Sequence, residues 1–240
     1  MFLFIFLAFS SSKEFLKGHA KRTRIKETVR ERLKRLYKDH TVRSYDQARV
    51  QMYNEVDCDN DELNLIYSGS NYNWKCHQTK KPSATDVNAE HIVPQSTFKS
   101  KTPMVSDLHH LLPAAAKLNN LRSNYNFTEV DYSECKQFCR GMKCSTQIPS
   151  DPDIYSCLTK NKKWMPIKQD RGRVARAVLY FYTMYDEYPM SVGELSLFKK
   201  WNNDYLPNDY EKMRNERINV SQGNRNPYID DPSLVDQAFP

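Results

Sequence analysis

Residues 171–188, RGRVARAVLYFYTMYDEY, set the strongest limit on what this chain can fold into. Val174, Ala177, Val178, Phe181 and Tyr185 recur at helical spacing and predict a long helix with one buried stripe. The rest of the chain has to cover that stripe. Ser44 is a good N-cap for a helix over YDQARVQMYNEV, with Tyr45, Ala48, Met52 and Val56 on one face. GELSLFKKWNNDY and NDYEKMRNERINV read as further helices. ELNLIYSG reads as a strand ending at a glycine turn, and VNAEHIVP as a strand stopped by Pro94. SDLHHLLP is a second strand candidate, and AAAKLNNLRSN a short helix after it. SNYNWKCHQTKKPSATD reads as a loop. The expected fold class is α+β: mostly helical, with a small central sheet.

With 240 residues the chain is expected to be one domain. It has no repeat at a fixed period and no stretch approaching a transmembrane span. MFLFIFLAF, followed by three serines, resembles a secretory signal with an Ala8-Phe9-Ser10 cleavage site, although a leading positive charge is missing. Residues 1–12 are therefore set apart from the fold. The six cysteines agree with export, since an even number in an exported chain reads as disulfides. Cys58–Cys76 is the favoured pair. Cys135, Cys139, Cys144 and Cys157 then pair among themselves in a way that sequence leaves open, within what reads as a disulfide-held loop. A structural zinc there is the weaker rival, because the window has no C-x-x-C pair and no histidine.

The net charge of +7 is local. Lys13 to Ser44 hold twelve Lys/Arg against four Asp/Glu, which leaves the remainder near neutral. Ile25, Val29, Leu33, Leu36 and Tyr37 make this segment, residues 13–43, a basic amphipathic helix. It is either a solvated face on a packed helix or an attraction for a polyanion.

Between residues 90 and 119 the predicted order is strand, strand, helix, and each piece carries polar groups: Glu90 and His91, His109 and His110, then Asn119. Phosphodiester hydrolysis needs a base for water and a cation for the developing charge. A neutral imidazole suits the first. A hydrated magnesium ion held by one carboxylate and one amide oxygen suits the second. Neighbours on an ideal strand point to opposite faces, so Glu90 and His91 serve one phosphate only if the strand twists or bulges or the substrate straddles its edge; a twist or bulge near Pro94 is expected.

EHIVPQSTF, SDLHHLLP and KLNNLRSNYNF, in that order, resemble the endonuclease I family of secreted or periplasmic ββα-metal (His-Me finger) nucleases. SYDQARVQMY, RGRVARAVLYFY and NERINVSQGNRNPYID extend the likeness over residues 44–235. The resemblance implies a nuclease domain over residues 44–240. It implies His91 as general base, Glu90 and Asn119 as ligands of one magnesium ion (manganese as a substitute), and non-specific cleavage of DNA, and often RNA, to 5′-phosphates. His109 is expected to support the site from behind. Some members carry a phosphate-neutralising arginine in a long loop after the Glu-His pair. Here that loop is short, with Lys99 and Lys101. Lys99 is a weak candidate for phosphate contact, and Arg122 either reaches a phosphate or braces its helix end. Two rivals are an inactive polyanion-binding module of the same fold and a zinc hydrolase of small phosphoesters.

Overall fold

The computed structural model describes residues 26–240. The expected signal segment and the start of the basic segment lie outside the described residues. Helix α1 (Val29–Tyr37) opens with a Thr28–Glu31 capping box, which satisfies two N–H groups that no helical carbonyl reaches. Its Leu33 is buried. Much of its charge is engaged inside the molecule: Arg30 donates to the Tyr182 carbonyl and Lys34 pairs with Asp186. Helix α2 (Tyr45–Gln51) starts with the expected cap, Ser44 with Gln47, and runs into a π-helical turn, Met52–Val56.

Strands β1 (Cys58–Asp59), β2 (Glu62–Leu65) and β3 (Ser70–Asn73) form an antiparallel sheet in that order. Strand β4 (Val87–His91) is followed by the short helix α3 (Gln95–Phe98) and a 3-10 turn, Met104–Ser106. Strand β5 (Leu111–Ala115) then pairs antiparallel with β4, and α4 (Ala116–Arg122) follows directly. Strands β6 (Cys135–Arg140), β7 (Lys143–Ser145), β8 (Ser156–Thr159) and β9 (Trp164–Met165) make a third sheet in the order β7-β6-β8-β9. Helices α5 (Arg171–Met184), α6 (Leu195–Asp204), α7 (Asp209–Gln222), α8 (Pro227–Asp230) and α9 (Leu234–Ala238) complete the chain.

The α+β class holds, but the single central sheet expected from sequence is replaced by three small ones. β3 lies in the stretch read as loop. Its alternating residues are half-exposed and polar, so no apolar period marks it. The cysteine-rich stretch is a sheet, stapled by Cys135–Cys157 between β6 and β8 and by Cys139–Cys144 between β6 and β7. The expected Cys58–Cys76 bond is present. The strand expected over SDLHHLLP lies further along the chain: β5 begins only at Leu111 and runs through Pro113 to Ala115. The proline is tolerated because its nitrogen and carbonyl face away from β4, so the ladder needs no N–H there; the carbonyl accepts from Ile66 N at 2.9 Å, which ties β5 to the end of β2.

α5 is buried along its whole length rather than on one stripe, because α1, α6 and α8 pack around it. Gly172 permits this: a Cβ there would lie 2.1 Å from the Tyr205 carbonyl oxygen. Two buried polar clusters fix the segment before β5. Asp107 is fully buried and accepts from Tyr180 Oη (3.0 Å), Tyr185 Oη (2.8 Å), Gln222 Nε2 (2.9 Å) and His109 N (3.0 Å). Arg214 pairs with buried Asp57 and donates to the carbonyls of Leu108 (3.0 Å) and Leu111 (2.8 Å).

Burial opposes the Asp107 charge, but the imidazoles of His40, His109 and His110 and the Gln222 amide outweigh it and hold the carboxyl below its usual range. A depressed carboxylate contributes stability that is present above its unfolded value, about 3.9, and is lost as pH falls through its folded value. Asp107→Ala is therefore expected to cost about 3–5 kcal/mol at neutral pH, read by urea unfolding. The gap between wild type and variant should narrow as pH falls below about 4.

Candidate active site

The antiparallel β4–β5 pair returns the chain so that α4 starts beside the strand it has just left. Asn119 Nδ2 donates to Asn88 Oδ1 at 2.6 Å and approaches the Ala89 carbonyl at 3.4 Å. This pins the amide against β4, and no hydrogen bond among the described residues ends on Asn119 Oδ1. Glu90 is 2% exposed. Its Oε1 accepts from Tyr67 Oη at 2.8 Å and lies 3.3 Å from Arg122 Nε, a charge contact rather than an aligned hydrogen bond. Its Oε2 receives no hydrogen bond among the described residues. Burial raises the Glu90 pKa, while Arg122 and Tyr67 pull it back.

The sequence left Arg122 between bracing the helix end and reaching a phosphate, and burial decides for the brace. Arg122 is 1% exposed, donates to the carbonyls of Ile92 (2.6 Å) and Ser123 (2.9 Å), and stacks 4.7 Å from the Phe127 ring centroid. Lys99 is exposed, in the left-handed conformation that ends α3.

His91 lies on the other face of β4. The ladder keeps its register from Val87↔Ala115 to His91↔Leu111, so the bulge expected near Pro94 does not occur before the strand ends. Glu90 turns toward Tyr67 and Arg122. His91 turns toward the rings of Tyr45 (5.4 Å), Phe98 (6.0 Å) and His110 (5.6 Å).

Its two nitrogens have different partners. Nε2 lies 3.0 Å from the Val105 carbonyl, which can only accept. The proton of the neutral ring therefore sits on Nε2, and Nδ1 carries the lone pair. Gln95 Nε2 donates to that Nδ1 at 3.2 Å, and Ser100 Oγ donates to Gln95 Oε1 at 3.0 Å, which fixes the amide's orientation. Burial, reinforced by His110, pushes the His91 pKa down to about 3 despite the Val105 carbonyl, so the ring is neutral at physiological pH.

His109 does not support the site as expected. It faces away, 4.5 Å from the Tyr180 ring and 3.2 Å from the Asn224 carbonyl, and its neighbour His110 packs against His91 instead. The reason lies in the turn at Asp107–His110, which rotates the pair out of the strand geometry that sequence assigned to it. Sequence also missed the Val105 carbonyl, Gln95 and Tyr67, and it singled out His110 without giving it a role. Gln95 stood inside the EHIVPQSTF motif, but a backbone carbonyl leaves no residue signature. Arg171 and Arg176 are structural: they pair with Glu129 and Glu211, each at 2.6 Å.

Among the described residues no three His, Cys, Asp or Glu side chains come together as a metal site. That does not suit zinc, which takes three or four such ligands. One carboxylate oxygen and one amide oxygen, both without a hydrogen-bond donor, suit a hard cation that keeps most of its waters. The largest described cavity, about 570 Å³, is lined by Arg43, Glu55, His77 and Arg217 and lies apart from this strand pair.

A neutral imidazole with its lone pair on Nδ1 and two oxygens that receive no hydrogen bond among the described residues lie on one strand–strand–helix unit. The comparisons define the class as nucleic-acid-cleaving. The chain belongs to the Endonuclease I family, whose model matches residues 25–233. It is 27% identical over 228 residues to an extracellular ribonuclease of Bacillus amyloliquefaciens, covering 86% of this chain and 72% of that one. It is 26% identical to an extracellular deoxyribonuclease of Aeromonas hydrophila, covering 82% and 86%. A periplasmic deoxyribonuclease of Aeromonas hydrophila is 30% identical over 132 residues, 53% of this chain and 48% of its own.

Arg122→Met keeps the bulk and removes the cation, leaving Glu90 buried without a counter-charge. The expected loss is about 3 kcal/mol or more of unfolding free energy, measured by urea titration.

Proposed function

We propose that this protein is a secreted, magnesium-dependent, non-specific endonuclease that hydrolyses DNA, and also RNA, to 5′-phosphate products. The observation that carries this reading is the tautomer of His91: a backbone carbonyl holds its proton on Nε2, so the lone pair is on Nδ1, which takes a proton from water once the Gln95 amide that donates to it gives way. Glu90 Oε2 and Asn119 Oδ1 are the oxygens that hold the metal. Magnesium, when bound, stabilises the charge that develops on the phosphate and on the departing 3′-oxygen.

Glu90 and His91 point to opposite sides of β4, so the nucleic-acid backbone crosses the end of the strand, with the scissile phosphate between the two side chains. Arg122 and Tyr67 hold Glu90 in place and offset part of the burial that raises its pKa. The rings of Tyr45, Phe98 and His110 surround the imidazole and fix its position. Contact with the backbone rather than with base edges fits both ribonuclease and deoxyribonuclease relatives. Family members are generally metal-dependent. Secretion agrees with relatives named extracellular or periplasmic and with three disulfides. No helix among the described residues is long and apolar enough to cross a membrane.

Plasmid DNA should be cut with magnesium and spared with EDTA. His91→Ala should lose at least about a thousandfold in kcat while still retarding DNA in a gel. A His91→Ala protein that cuts at near the parental rate removes the base assignment. Glu90→Ala should need far more magnesium for whatever activity remains, read by titrating the ion.

A further inference from the structure

Hydrolysis of a phosphodiester adds negative charge to the phosphorus oxygens, and a planar guanidinium matches that charge with paired N–H groups. Arg122 is too deeply buried and too fully engaged to serve. Lys99 and Lys101 are exposed point charges on flexible stems.

Arg49 on α2 differs from all three. Its guanidinium carbon stands 4.6 Å from the Tyr45 ring centroid, and that ring lies 5.4 Å from the His91 ring. The stack fixes a cation at the rim of the pocket that holds the base. The side chain is 31% exposed. Its Nη2 donates to Asp46 Oδ1 at 2.7 Å, but Lys81 Nζ reaches the same oxygen, so Asp46 keeps a counter-charge when Arg49 turns to another anion. Its Nε is buried and has no hydrogen-bond partner among the described residues. Arg49 therefore combines a pre-positioned plane, one unpaired N–H and one replaceable ion pair.

We propose that Arg49 is a catalytic residue that binds the non-bridging oxygens of the scissile phosphate as their charge grows. The assignment rests on His91 being the base. It gives the reaction a cation on the His91 side of β4, opposite the side where Glu90 lies. Because charge builds up mainly in the transition state, the residue acts on kcat more than on KM.

The test compares wild type, Arg49→Ala, Arg49→Lys and His91→Ala on a short DNA duplex with saturating magnesium. Arg49→Ala should lose about a hundredfold in kcat with KM changed less than about threefold. Added guanidinium ion should restore part of that loss, which a merely structural defect would not allow. Arg49→Lys keeps the stem and the charge and guards against a folding loss; it should still fall about tenfold short of wild type, because one ammonium cannot replace the fork. If His91→Ala is inactive while Arg49→Ala keeps its kcat, or loses only in KM, the Arg49 assignment alone is overturned. If His91→Ala stays active, the base assignment falls and this one falls with it.

Discussion

The carboxylate of Asp107 collects two tyrosine hydroxyls from α5 and the turn after it, the Gln222 amide at the end of α7 and the backbone N–H of His109. Arg214 of α7 holds the same segment from its other side through the carbonyls of Leu108 and Leu111, with Asp57 as its counter-ion. Between them these groups fix the chain from Met104 to Leu111, which has little regular structure of its own. That segment supplies the Val105 carbonyl to His91 and the Met104 carbonyl to His110. The tautomer of His91 is thus decided by a carbonyl whose position is set by ions and hydroxyls on the helical side of the molecule. The base proposed here needs its lone pair on one particular nitrogen. Here that selection is made by main-chain geometry rather than by a carboxylate partner.

Buried charges of this kind are costly unless each is paired and hydrogen-bonded. The chain meets that condition with pairs that join elements distant in sequence: Asp57 with Arg214, Glu211 with Arg176, Glu90 with Arg122. Such pairs contribute little net stability compared with apolar packing, but they tolerate few alternative arrangements, which suits a site whose donor atoms must hold fixed positions. The sheet β7-β6-β8-β9 lies in a different regime. It adds Trp164 and Cys139 to the main core and buries a small satellite cluster around Phe138 and Met165, and two disulfides supplement that limited packing.

Much of this was legible in the residues. Ser44 with Gln47, Pro94 after an apolar run, and AAAKLNNLR after Pro113 are local signals, and local signals placed α2, β4 and α4 closely. The Cys58–Cys76 bond was also anticipated. Less legible were the elements specified by partners far along the chain. β3 turns only Tyr72 toward the core and is recognised by its pairing with β2, not by a period. His109 and His110 look equivalent in sequence, and only the Asp107 turn decides that one packs on Tyr180 and the other on His91. Arg122 looked like a candidate for phosphate because charged side chains are usually exposed. Its burial follows from Glu90, which needs a cation inside.

The opposite orientation of Glu90 and His91 left the sequence reading two solutions, a distorted strand or a substrate that straddles its edge, and it favoured the distortion. The regular register removes the need for a distortion. A strand that ends at His91 exposes its tip, and a phosphate placed there has the carboxylate side on one flank and the imidazole side on the other. An in-line displacement calls for this separation: the attacking oxygen and the leaving oxygen stand on opposite sides of phosphorus, so the group that deprotonates the one and the oxygens that hold the cation for the other belong on opposite sides as well. In the proposed mechanism two adjacent residues on an undistorted strand supply that division, and the alternation of the dipeptide is its geometric basis.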